Sequence, residues 1–203
     1  MTSDVPWKGA AHPLDEGDFG GAADYLGCEP AAIRAVWEVE AAGRGFLRDG
    51  TVIRRFEPHH MPQSAFTWRD SLEIGRTQRE RMFRAAYEEN GEGALRATSW
   101  GAPQIMGFNA EDAGYGSAHE MVEDMALSEA RQLGAFCKLV TTWGLDSALR
   151  AHDWFEFARR YNGSGQPATY ARKIEAAYRR HSGKKSPQVL RLGDRGKAVK
   201  RLQ

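Results

Sequence analysis

The sequence predicts a mainly α fold, a helical domain carrying at most one small β-hairpin. Three observations point there. From about Asp18 to Tyr170, apolar residues recur at helical spacing in segments separated by Gly and Asn. Alternating strand patterns are nearly absent, the exception being Thr51 to Glu57 after the turn signal Asp49-Gly50. The 203 residues are 41% hydrophobic and 27% charged, enough to bury a core and too apolar for disorder as the main state.

The best-defined helix runs over 30–42. Pro30 suits its first position and Gly43 its stop. Its apolar stripe is Ile33, Val36 and Trp37, and the next position on that stripe is Glu40. Thr51 to Glu57 is expected as one arm of a hairpin. Further helices are expected at about 71–89, 92–98, 118–126, 128–142, 145–151, 153–161 and 167–181. The segment 71–89 is so charged that most of it reads as a solvated face. The main domain therefore spans 1–182. Gly183 to Pro187 reads as a linker (183–188), followed by a short segment at 189–203.

Charge is unevenly spread. Residues 184–203 hold seven Lys/Arg and one Asp, a net +6, which leaves −5 on the rest of a chain whose total is +1. Such a tail suits either an anionic polymer or a solvated linker. Cys28 and Cys137 make no disulfide framework and read as buried free thiols. The N-terminus lacks the basic segment and apolar run of a signal peptide, and no stretch approaches 18 apolar residues. Stable membrane insertion is therefore not expected, and the chain is expected to be made in the cytoplasm.

Glu40 is the first candidate for chemistry. A carboxyl on an apolar face, near the negative end of a helix, is driven towards its protonated form. That is the state a general acid needs. The alternative is an ordinary Glu that reaches solvent or pairs with Arg44. Glu38 lies off the stripe, and an ion pair with Arg34 four residues before accounts for it. His59 and His60 are adjacent on an expected strand and point to opposite faces, so a shared metal is not expected. No His/Glu set has zinc-protease spacing.

Four segments together resemble a family. Val39-Glu40-Ala41-Ala42-Gly43-Arg44-Gly45-Phe46 resembles the "E-V-E-S-G-G-R-G-F" opening of phage-type N-acetylmuramidases. Arg55-Phe56-Glu57-Pro58-His59 resembles their "F-E-R-H", and Ser99 to Gly107 resembles their "S-W-G-x-F-Q-I-M-G". Arg160-Tyr161-Asn162-Gly163 resembles their "Y-N-G". The four occur in the family's order over roughly residues 15–180. The layout is also similar to the goose-lysozyme and lytic-transglycosylase superfamily. Ala41 stands where the family has Ser, and Pro103 where it has an aromatic.

The resemblance implies a lysozyme-like helical domain, a glycosidase of the β-1,4 bond between N-acetylmuramic acid and N-acetylglucosamine, and no cofactor. It implies Glu40 as the acid and makes Glu57 the candidate second carboxylate. Glu57 would act as a base at ~6.5–9.5 Å from the acid, or as a nucleophile at ~5–5.5 Å. The alternative is that Glu57 pairs with Arg54, Arg55 or His59 and orders the hairpin. Gln104 and Asn162 are implied to hydrogen-bond sugar N-acetyl groups, Trp100 to stack on a sugar and Tyr161 to orient Glu40. The bland reading makes Trp100, Ile105, Met106 and Tyr161 core.

Val189 to Gln203 resembles the first helix of peptidoglycan-binding modules, and its fifteen residues are too few for a core. The expected partner is bacterial peptidoglycan, with no nucleic acid and a monomeric chain acting as a phage endolysin after holin-type release. A lytic transglycosylase and a non-enzymatic wall-binding protein are the rivals.

Overall fold

The computed structural model describes residues 5–41, 44–163 and 165–183. Among the described residues there are ten α-helices and a small sheet. The helices are α1 (Glu16–Leu26), α2 (Pro30–Ala41), α3 (Trp68–Glu73), α4 (Arg76–Glu89), α5 (Gly91–Arg96), α6 (Ala118–Met125), α7 (Glu129–Thr142), α8 (Asp146–Ala151), α9 (Trp154–Tyr161) and α10 (Pro167–His181). The strands are β1 (Arg54–Phe56), β2 (Thr98–Trp100) and β3 (Ile105–Met106), antiparallel in the order β1-β2-β3. Gly183 apart, the expected linker and the segment 189–203 lie outside the described residues.

α1 has no counterpart among the expected helices, because Gly17, Gly20 and Gly21 dilute its apolar pattern. A reciprocal cap starts it. Asp15 accepts from the Gly17 and Asp18 amides, and Asp18 accepts from the Asp15 amide at 2.8 Å. Gly27 stops it at φ 64°, a left-handed position that glycine adopts without strain.

The expected helix 71–89 divides at Ile74-Gly75. A second reciprocal cap, Thr67 with Asp70, starts α3 at Trp68. Arg79 then bonds the Ser71 and Ile74 carbonyls, which the break leaves without helical partners. The expected helix 92–98 ends at Arg96, Ala97 caps it and Thr98 opens β2. β1 pairs with β2, not with its sequence neighbours: Arg54 faces Trp100 and Phe56 faces Thr98. The local hairpin is β2–β3, Trp100 opposite Ile105, closed by a turn that includes Gly101 at φ 68°.

Two cores form. One joins α1, α2 and α7 to α10 around Ile33, Val36, Phe136, Leu149, Phe157 and Ile174. α10 is the main partner of α2. Glu38 meets it through Arg180 and, at 2.8 Å, His181, and not through Arg34, which pairs with Glu16 on α1 instead. The second core holds the sheet against α4, α5 and α6 around Trp7, Phe83, Trp100 and Met121. Cys137 is buried and Cys28 half-buried, and both are free thiols. Burial pushes them up to about 12 and about 11.

Candidate active site

Glu40 lies in the last turn of α2. Ile33 and Val36, earlier on the same stripe, are fully buried, so the packing of α2 carries Glu40 into a half-buried position. Burial raises its pKa above the ordinary carboxyl value. The Asn162 hydrogen bond and the Lys173 charge oppose that rise and are smaller. The Asn162 amide donates to Glu40 Oε1 at 2.8 Å. Arg44 is exposed and forms no ion pair with Glu40. Ala42 and Gly43, which complete the loop after the helix, lie outside the described residues.

Asn162 caps the C-terminus of α9. Trp154, Phe157 and Ala158 bury the other face of that helix and so fix where Asn162 stands. Tyr161 precedes it. Its ring packs on Phe136 at 5.5 Å and on Phe157 at 5.4 Å. Its hydroxyl donates to the Pro103 carbonyl at 3.0 Å, so the expected bond to Glu40 is replaced by a tie between α9 and the β2–β3 turn. Burial lifts the phenol well above its ordinary pKa, with the Glu40 charge a smaller contributor.

Gln104 sits in that turn at φ 52°, an uncommon conformation for a side-chain-bearing residue. Its Oε1 accepts from Ser99 Oγ at 2.9 Å and its Nε2 donates to Gly101 O at 2.7 Å. One N–H and one lone pair of the amide remain for a ligand. Trp100 requires a correction. It is 0% exposed, and its indole N–H donates to Leu95 O at 2.9 Å. No face is open for a sugar, because β2 turns Trp100 into the second core against Trp7 and Phe83.

Glu57 follows β1 and is held from several sides. Arg55 donates to Oε1 at 2.5 Å and Arg79 to Oε2 at 3.3 Å, while His59 Nδ1 lies 3.9 Å from Oε2. Arg55 and His59 are two of the three partners expected for a hairpin-ordering Glu57. The third, Arg54, pairs with Glu80. His59 Nδ1 also meets Ser71 Oγ at 2.7 Å.

Sequence reasoning missed the groups that hold these parts in place. Gln132 of α7 is 0% exposed. It accepts from the Ala102 amide at 2.8 Å and donates to Met125 O at 3.1 Å. Glu129, one helical turn earlier, accepts from the Gly45 amide at 2.6 Å and the Leu14 amide at 3.2 Å. One helix thus braces both the loop after α2 and the β2–β3 turn. Arg79 was hidden in a charged segment and Lys173 in an amphipathic helix. No local pattern marks either, since their partners come from distant elements.

A protonated carboxyl with one oxygen held by an amide can deliver a proton to a bound acceptor, and the carboxylate left behind keeps that amide donor and a nearby Lys. The family model "Muramidase: N-acetylmuramidase" matches residues 29–67 and 60–182. The crystal structure of the Burkholderia AP3 phage endolysin superposes with a TM-score of 0.73 at 35% identity, over 85% of this chain and 72% of that one. No curated protein matches the sequence. With three quarters of its length inside the family model and a lysozyme-like fold around Glu40, the chain belongs to the N-acetylmuramidase family, glycoside hydrolases that act on peptidoglycan.

Proposed function

We propose that the chain cleaves the β-1,4 bond between N-acetylmuramic acid and N-acetylglucosamine, with Glu40 as general acid. The observation that carries this is the half-buried Glu40 carboxyl, its pKa raised by burial and its Oε1 engaged by Asn162. With Oε1 accepting from Asn162, the acid proton resides on Oε2. Glu40 passes it to the glycosidic oxygen as the C–O bond breaks, and an oxocarbenium-like sugar forms. Asn162 and Lys173 then stabilise the new carboxylate. Gln104 offers its remaining amide N–H and lone pair to a sugar N-acetyl group. Tyr161 positions the turn that carries Gln104. The partner is peptidoglycan, and the protein acts as a monomeric phage endolysin that reaches the wall after holin-type release. Among the described residues no helix is long and apolar enough to cross a membrane.

Glu57 is the proposed second carboxylate, positioning or activating the water that completes hydrolysis. One observation favours a second reading. Both Glu57 oxygens already meet arginines, and a lytic transglycosylase needs no second carboxylate. Its 1,6-anhydro product is lighter by one water, so mass spectrometry of digested wall separates the two reactions.

The primary test is turbidity loss of purified peptidoglycan with wild type and Glu40→Gln at matched folding. The expected loss is roughly two to four orders of magnitude. Equal clearance by both proteins overturns the Glu40 assignment. Binding of the wall without release of sugar by wild type would point to a wall-binding protein instead.

A further inference from the structure

On the side of β1 towards α3 and α4 there is a cavity of about 670 Å³, a volume suited to a small ligand, and it does not include Glu40. Five arginines line it: Arg54, Arg55, Arg76, Arg79 and Arg84. Glu80 is shared between Arg54 at 2.7 Å and Arg84 at 2.9 Å, and Glu57 is shared between Arg55 and Arg79. Glu80 and Asp49 are the two carboxylates of the lining, and Glu57 meets it only through its arginine partners. Five guanidinium groups thus face three carboxylates, and Arg76 forms no ion pair among the described residues.

Two further features show the same surplus. α4 begins with Arg76 and has Arg79 in its first turn, with no acid there and no side-chain cap from Gly75. Cations are disfavoured at a helix N-terminus, where the free amides already carry positive partial charge. Arg54 has a side chain only 8% exposed, and its Nε is the one buried side-chain nitrogen or oxygen without a partner among the described residues. A cavity lined by more guanidinium groups than carboxylates, with Arg76 left unpaired among the described residues, suits an anion.

We propose that this cavity takes the carboxylates of the peptide stem that peptidoglycan carries beside the scissile bond. The proposal rests on the muramidase reading above. Arginine forks match carboxylates in two-pronged geometry, and a surplus of two charges suits a peptide with two free carboxylates. The cavity's wall includes β1, which leads into the proposed second carboxylate Glu57, and Arg79 lines the cavity and bonds Glu57. The site would make the enzyme sense whether a glycan strand bears acidic stems.

The test is calorimetric titration of the full chain with a synthetic stem tetrapeptide, L-alanyl-γ-D-glutamyl-L-lysyl-D-alanine, and with the same peptide amidated at both carboxyls. The peptide with free carboxylates is expected to bind, and Arg76→Gln is expected to weaken it on the order of tenfold, the loss of one charge-assisted contact. Arg159→Gln, which removes an exposed pair with Glu156 on α9, should bind as wild type does. On whole wall, Arg76→Gln should raise the half-saturating substrate level several-fold and leave the maximal rate unchanged. Equal binding of the two peptides, no effect of Arg76→Gln, or inorganic phosphate binding as tightly as the peptide would each overturn the proposal. Cleavage of stem-free glycan strands by wild type separates the two readings. If cleavage persists while peptide binding is absent, the cavity assignment fails alone. If peptide binding persists while no glycan is cut, the glycosidase reading fails alone.

Discussion

Glu40 is placed at a cost that its neighbours partly offset. Its folded pKa lies above the unfolded value of about 4.3. A carboxyl shifted in that direction favours the folded state fully only below the unfolded pKa, and the contribution is lost as pH rises through the folded pKa. Glu40→Gln should therefore melt higher than wild type at pH 7–8, with the gap closing towards pH 4 in differential scanning calorimetry. Asn162 acts in the opposite sense by lowering the Glu40 pKa. Asn162→Ala should move the alkaline limb of the pH–rate profile to higher pH and reduce the maximal rate about tenfold, as one oriented hydrogen bond is lost. Tyr161 gives a contrasting outcome. Its hydroxyl serves Pro103 and not Glu40. Tyr161→Phe should cost about 1 kcal/mol of stability while the alkaline limb stays in place. A shift of that limb in Tyr161→Phe would show that the hydroxyl acts on the acid after all.

Among the elements, α7 has an organising role that its sequence does not advertise. It reads as an ordinary amphipathic helix capped by Ser128. Yet Gln132 and Glu129 project from it to hold the backbone of two segments far away in the chain. Gln132 is fully buried, so removing its amide strands an N–H and a carbonyl away from water. Gln132→Ala should destabilise the fold by about 3 kcal/mol, a fall in Tm of ~6–12 °C for a chain of this size. The turn leaves no room for a substitute at Gly101 either. A Cβ there would stand 2.6 Å from Met125 Cε and 2.7 Å from Gln132 Oε1, and φ is 68°. α9 and α10 divide the remaining work: α9 presents Asn162 at its end, while α10 covers α2 and brings Lys173 within electrostatic reach of Glu40.

Over the whole molecule, the two cores meet through a few shared side chains. Trp143 and Tyr161 pack against both. Trp143 also bonds Asp112 at 2.8 Å, and the Tyr161–Pro103 bond ties α9 to the turn of the sheet. Glu40 therefore stands on a helix of the first core, and the β2–β3 turn that carries Gln104 belongs to the second. Charge is also divided at this scale, with +6 on residues 184–203 and −5 on the rest. A chain ending at Gly183 should sediment several-fold less with purified anionic wall at low ionic strength. In 1 M salt, where screening acts within about 3 Å, the difference from the full chain should vanish. Equal sedimentation at low salt would show the tail to be a solvated linker.

Much of this was legible in the sequence because it is local. The spacing of Ile33, Val36, Trp37 and Glu40 defines both the helix and the face on which its carboxyl lies. The bounds expected for α10, 167–181, are those observed, since a proline start and an unbroken amphipathic pattern require no partner to be recognised. The motif at 99–107 implied the wrong role for Trp100. Whether an aromatic faces a sugar or a core depends on which side of β2 packs on α5, and pairing of strands 44 residues apart decides that. The partner of Glu40, Arg79 on Glu57 and the bracing by α7 were beyond reach for the same reason. Local propensity and periodicity act within a few residues, whereas these contacts join positions separated by 22 to 122 residues. The sequence by itself determined the helical class and the helix face on which Glu40 lies. Only the packing of distant elements decided what surrounds it.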